Sequence, residues 1–318
     1  MIERPNPEEL LAGPLGQWLA EQDGARARAR ERASWWVTAG IIGACLVAAV
    51  VILFSHGGIG LALQLGFFTG IGGFGIGELI KRPVVNQIKT GINGAIARAL
   101  GLQYSLSLQP GAAFKQAVAF ELVPGHDDAD FEDLWWGELG AQSFTLHEAK
   151  LTEQRGSGKN RRTVTVFEGT LMQIGFARKF IGTTLIEKNN QRRKFLFGGE
   201  KDSITLNGVT LNRIDMVDPA FEDRFTIWSD DGVEARYLVH PEYVERLTAV
   251  ESAFAGENLR ALFCDGTLLV VLETGNMFES GSLDSGEDRQ RLTQAITQFS
   301  SMADLASRLN ERPRAGFN

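Results

Sequence analysis

Cysteine is scarce in this chain: Cys45 and Cys264 are the whole supply in 318 residues. Cys45 lies inside a long apolar run and Cys264 far along a polar region, so no bridge between them is expected and no oxidising compartment is implied. Histidine is nearly as rare, the set being His56, His126, His147 and His240. No HExxH, GxSxG or CxxC pattern occurs. That removes the local signatures of zinc hydrolases, serine hydrolases and dithiol chemistry. Positive charge is also short. Residues 1–98 carry nine Lys/Arg against seven Asp/Glu, which leaves the remainder at −9 within a total of −7. A region that acidic is a poor nucleic-acid binder, because such binding rests on neutralising phosphates. No nucleic-acid partner, cofactor or metal is expected.

What is present is length without charge. Trp35 to Phe54 is twenty residues with no ionisable side chain except Cys45, and Gly57 to Ile80 is broken only by Gln64 and Glu78. At about 1.5 Å per residue, twenty helical residues span roughly 30 Å, the thickness of a bilayer's hydrocarbon core. The pattern predicts a transmembrane helical hairpin over 35–80, with spans 35–54 and 57–80. A cleaved signal fits badly, since the run starts late and exceeds the usual core of about 7–15 residues. A buried helical pair in a soluble protein is the other alternative.

The flanks give an orientation. Arg26, Arg28, Arg30 and Arg32 precede the first run, Lys81, Arg82 and Lys89 follow the second, and the link Ser55-His56-Gly57-Gly58 has no Lys or Arg. Positive flanks stay inside, so a plasma (inner) membrane protein with two passes and both termini cytoplasmic is expected. Trp35 and Trp36 suit the interfacial aromatic belt. Gly66, Gly70, Gly73 and Gly77 form small-residue pairs at i, i+4, with Gly40 and Ala44 matching them on the first run. They are the expected membrane helix packing residues, within the hairpin or between copies. Gly70-Ile-Gly-Gly-Phe-Gly75 spells a dinucleotide fingerprint but sits mid-span, without the strand and soluble helix that fingerprint needs. Glu78 has Lys81 and Arg82 three and four residues on, so a local ion pair accounts for it.

The rest of the chain reads as a 1–34 cytoplasmic segment, an 81–139 helical connector and a 140–318 cytoplasmic α+β domain. The segment before Trp35 is either a short amphipathic helix on the membrane surface or a loose tail. Val84, Val85, Ile88, Ile92, Ile96 and Leu100 recur at helical spacing. The acidic run Asp127 to Asp133 lacks the glycine of a calcium loop and reads as a solvated loop. Ser143 to Leu151 and Thr163 to Phe167 read as a hairpin with the basic tip Arg155-Gly-Ser-Gly-Lys-Asn-Arg-Arg162. That tip fails the phosphate-loop pattern, but suits anionic head groups at about 1 kcal/mol per basic residue. Further strands are expected at 171–176, 180–186, 194–197, 224–228 and 235–239, with a turn at Asp230-Asp231-Gly232. Arg224 and Arg236 are placed to pair with Asp223 and Glu234. A helix over 242–254 follows, then a hairpin around Asp265-Gly266 and a final amphipathic helix over 288–309. Strands followed by helices indicate α+β with a mostly antiparallel sheet and flanking helices.

Several pieces resemble the bacterial family called domain of unknown function 3137, over roughly residues 80 to 275. They are Phe131-Glu-Asp133 with Gly137, Ser143-Phe144 with Glu148, Val166-Phe-Glu-Gly169, Phe221-Glu-Asp-Arg-Phe225, Trp228-Ser-Asp-Asp231, Ala235-Arg-Tyr-Leu238 and Pro241. The resemblance implies a membrane hairpin plus a cytoplasmic domain, and no activity, cofactor or catalytic residue. The function expected is a membrane-anchored, non-enzymatic binding or scaffold domain. Its partners would be the lipid bilayer and a membrane protein or second copy. Two alternatives stay open: a hydrolase-like membrane enzyme using Asp127 to Asp133 or Cys264, and an oligomeric helical-hairpin assembly.

Overall fold

The computed structural model describes residues 4–54, 58–139, 141–176, 180–189, 201–216, 222–239, 243, 245, 247, 249, 251–252 and 256–310. The link 55–57, the strand expected at 194–197 and the pair His240-Pro241 lie outside the described residues. The chain forms two compact units, Pro5–Ala95 with Glu279–Ala295, and Ile96–Phe278 with the chain from Ile296.

The first unit is built on two long helices. α1 (Pro7–Ala12) opens with Pro7, and the Asn6 side chain accepts the Glu8 N–H at 3.0 Å. α2 (Pro14–Glu21) follows, then α3 (Asp23–Phe54) and α4 (Gly58–Ala99). α3 includes the Arg-rich stretch Arg26 to Arg32, and α4 runs unbroken through Pro83. The N-terminal segment is not a loose tail. Leu15 and Leu19 of α2 are buried, and Trp18 packs against Gly91 of α4, where a Cβ would come within 2.2 Å of the ring.

The second unit is a ten-stranded sheet in the order β1-β2-β3-β4-β10-β9-β5-β8-β7-β6. The strands are β1 (Leu102–Ser107), β2 (Asp128–Leu139), β3 (Gln142–Arg155), β4 (Arg162–Gly175), β5 (Thr184–Lys188), β6 (Ser203–Leu206), β7 (Val209–Ile214), β8 (Phe225–Ser229), β9 (Glu257–Cys264) and β10 (Thr267–Glu273). Each neighbouring pair is antiparallel. The fold is α+β, as the order of strands and helices predicts. α5 (Ala112–Ala119) and α6 (Gly232–Leu238) belong to this unit, and α7 (Asp288–Asn310) ends the described chain. One face of the sheet buries Leu151, Phe167, Leu171, Leu185, Trp228, Leu262 and Val271 with Phe114 and Ala117 of α5. The other stacks Trp135 on Phe299 of α7, centroids 4.3 Å apart, with Phe144 and Phe278 close by.

Five expectations are corrected. The 81–139 stretch is helical to Ala99 and over α5, but elsewhere forms β1 and β2, so the acidic run is largely strand rather than loop. Its expected end at 139 falls between β2 and β3. Residues 171–175 continue β4 instead of starting a new strand, and the strand expected at 180–186 begins at Thr184. Ala235 to Leu238 is helical, because the Asp231 carboxylate caps the Val233 and Glu234 N–H groups at 2.9 and 3.0 Å. The β6–β7 hairpin was not anticipated, although Asn207-Gly208, both at positive φ (48° and 77°), is the dipeptide a tight hairpin requires. Asp265-Gly266 makes the same turn between β9 and β10 (φ 52° and 70°), where it was expected.

Candidate functional site

The seam between α3 and α4 is made by the glycines singled out from spacing. A Cβ on Gly73 would sit 2.6 Å from Gly40 Cα and 2.8 Å from the Trp36 carbonyl oxygen. One on Gly66 would sit 3.2 Å from the Ala44 oxygen, and one on Gly77 3.2 Å from the Ala33 oxygen. Gly70 is looser, 3.9 Å from Ala44 Cβ. All four face α3, and Gly40–Gly73 is the point of backbone contact. Gly72 and Gly75 meet open space. The six-residue fingerprint is therefore split between the seam and the outer surface, and forms no cradle.

Away from the seam the helices are apolar and uncovered. Leu53, Ile59, Phe67 and Phe68 are each more than three-fifths exposed. Both helices are long and apolar enough to cross a membrane, and only 6% and 17% of their apolar windows are buried. Glu78 pairs with Lys81 at 2.7 Å, as expected. Thr38 and Thr69 donate to the carbonyls of Ser34 and Leu65 one turn back, both at 2.8 Å. A groove of about 870 Å³ runs beside the seam, walled by Ile41, Phe67, Ile71 and Phe74 and floored by Ala44, Ala48, Gly66 and Gly70. Gln64 lies on its wall.

Below the apolar stretch, the same unit is closed by a clasp that sequence reasoning missed. Arg26 and Asp288 form a bidentate pair at 2.8 and 2.9 Å, with side chains 2% and 9% exposed. Burial pushes the Asp288 carboxyl up against the pull of Arg26. Lys89, also buried, meets Glu279 at 2.7 Å, and Ser280 donates to Asn93 Oδ1 at 2.8 Å. Gly281 runs against α4 so closely that a Cβ would lie 2.2 Å from the Val85 oxygen. Nothing local signals pairs separated by 262 and 190 residues.

In the sheet unit, the motif residues of the resemblance build a clamped loop. Trp228 is buried and donates to Glu187 at 3.1 Å. The Asp230 carboxylate accepts the Thr183 N–H at 2.7 Å, and Glu234 accepts those of Ile181 and Gly182 at 3.2 and 2.6 Å. Gly182 lets the loop approach closely, since a Cβ would come within 2.8 Å of both carboxylates and push them aside. The loop so held presents Ile181, 98% exposed, while α6 presents Val233 and Tyr237 one turn apart, 80% and 64% exposed. The expected pairing of Arg236 with Glu234 is replaced by bonds from Arg236 to the Asp215 and Gly232 carbonyls.

Three further motif residues do structural work. Asp133 accepts the Tyr104 hydroxyl at 2.5 Å beside a bulge, Glu148 accepts the Met277 N–H at 2.8 Å, and Gly169 lets β10 approach.

Among the described residues the candidate reactive groups do not converge. Cys264 is buried, and burial with the Asp265 charge pushes its thiol up, away from thiolate. His147 is buried, its Nε2 has no partner among the described residues, and burial lowers its pKa to about 4. Strand register (His147–Leu171–Val271–Arg260) puts His147 and Cys264 three strands and four residues apart. That is roughly 14 Å across the sheet and 13 Å along it. His56 and His240 lie outside the described residues. A polar recess of about 640 Å³ gathers His126, Asp127, Glu153 and Arg155. Its charges are already engaged: Arg155 pairs with Glu153 at 2.9 Å, and Asp127 accepts the Gln154 N–H at 2.7 Å.

The crystal structure of the mycobacterial trehalose monomycolate transport factor A, TtfA, aligns over 72% of this chain and 98% of its own, at 9% identity and a TM-score of 0.35, too distant to carry an argument. A search of curated proteins finds no match. Residues 165–311 match the family model described as Protein of unknown function (DUF3137). That stretch holds most of β4, Trp228-Ser-Asp-Asp231 and Ala235-Arg-Tyr-Leu238 around the clamped loop, and α7; through it the chain resembles the DUF3137 family, while the motif residues between Phe131 and Glu148 lie outside the match.

Proposed function

We propose that this is an integral membrane protein whose two-pass hairpin holds a cytoplasmic, non-enzymatic binding or scaffold domain at the bilayer. The carrying observation is the uncovered apolar surface of α3 and α4. A core helix of a soluble protein would be mostly buried. Apolar side chains left exposed along both helices call for lipid or protein around them. The cationic flanks, Arg26 to Arg32 and Lys81 to Lys89, support the reading in which both termini and the sheet unit face the cytoplasm. The binding half rests on the clamped loop, where backbone held by two carboxylates displays Ile181 beside a helix displaying Val233 and Tyr237. The anchoring half is tested by alkaline carbonate extraction of membranes holding the full chain. Retention in the pellet and release by detergent support it, and release by carbonate contradicts it. A photo-crosslinking residue at position 181 tests the binding half. A discrete adduct in cells that is lost with Val233→Asp supports it, and the absence of any adduct contradicts it.

A further inference from the structure

We infer that two copies of the chain pair in the membrane through the α3–α4 groove, with the Gln64 amides hydrogen-bonded to each other. This rests on the membrane reading above. Hydroxyls within the apolar stretch are satisfied on their own helix, as Thr38 and Thr69 are, and Glu78 has Lys81. Gln64 differs: it makes no hydrogen bond among the described residues and lies on the groove wall. It is six residues into α4, so about 9 Å along the axis from the helix start. An amide facing hydrocarbon without a partner is costly, and an acyl chain offers it none.

A second copy offers the right partner at the right depth. Two copies with the same orientation are related by an axis along the membrane normal, so each residue meets its own equivalent at equal depth. A carboxamide both donates and accepts, and two of them can satisfy each other reciprocally. The groove suits the approach: Gln64, Phe67, Ile71 and Phe74 recur on one helical face, and the floor of Ala44, Ala48, Gly66 and Gly70 leaves room for apolar side chains of the partner.

The test uses the full chain, labelled separately with donor and acceptor dyes on an N-terminal tag and reconstituted in phosphatidylcholine–phosphatidylglycerol vesicles. Energy transfer is followed as lipid dilutes the protein. The expected result is a dimer whose dissociation constant rises roughly 3- to 30-fold with Gln64→Leu, the range that membrane hydrogen bonds produce. Gln64→Asn, which keeps the amide, restores part of the affinity. A chain that is monomeric at every dilution, or a dimer indifferent to Gln64→Leu, overturns the inference and leaves the anchor standing. A chain that does not float with the vesicles overturns both.

Discussion

His147 gives the most quantitative prediction. It stands on β3, on the face that also buries Ala149 and Leu151, with the Phe131 ring 6.1 Å away. Burial lowers its pKa from 6.5 to about 4, so the folded protein holds it neutral. Between those values the unfolded chain binds a proton that the folded chain does not, so stability falls as pH falls through that window. From pH 7.5 to 5.0 the loss from this one group is about 2 kcal/mol, approaching about 3 near pH 4. Asp288, whose carboxyl is raised, acts in the opposite sense at the acid end, and other groups titrate as well. The useful quantity is therefore the difference between wild type and His147→Met. Urea unfolding of the detergent-solubilised full chain, followed by the fluorescence of buried Trp135 and Trp228, measures it at the two pH values. His147→Met should lose about 2 kcal/mol less than wild type over this interval. Equal losses would refute the claim that the imidazole is buried and neutral.

Other perturbations separate the parts of the account. Gly73→Ala drives a methyl into Gly40 and should destabilise the hairpin by about 1–3 kcal/mol, while Gly72→Ala, facing open space, should not. Energy transfer between labelled helix ends during SDS unfolding compares them. Arg26→Met leaves Asp288 buried without its partner and should cost about 3–5 kcal/mol, with Arg26→Met/Asp288→Leu recovering most of it. Hydrogen exchange of residues 279–295 reads that change directly. Asp231→Ala removes both cap bonds of α6 and should cost about 1 kcal/mol, with faster exchange at Val233 and Glu234 and little change in the β9–β10 hairpin.

The helix pair was legible because charge-free length is a local property, and its seam because residues at i, i+4 and i+7 share a helical face. The β9–β10 turn was legible from Asp265-Gly266 alone. The β2 misreading has a physical origin: Asp128, Asp130 and Glu132 alternate with Ala129 and Phe131, and the alternation was masked by the acidity of the outward positions. Asp231-Gly-Val-Glu234 carried a helix-start signal that the alternation of Ala235, Tyr237 and Val239 obscured. Leu102, Tyr104 and Leu106 of β1 hid in the same way behind the helical stripe that precedes them. The clasp of Arg26 with Asp288 and the clamp of Gly182 by Glu234 depend on contacts between distant segments, and neither end announces its partner.

The central claim is a two-pass hairpin with both ends in the cytoplasm, and labelling of single cysteines in intact cells tests it most directly. In a Cys45→Ser/Cys264→Ser chain, a membrane-impermeant maleimide should label His56→Cys from outside, and Ala25→Cys only after permeabilisation. Labelling of Ala25→Cys in intact cells, or protection of His56→Cys there, would contradict the account.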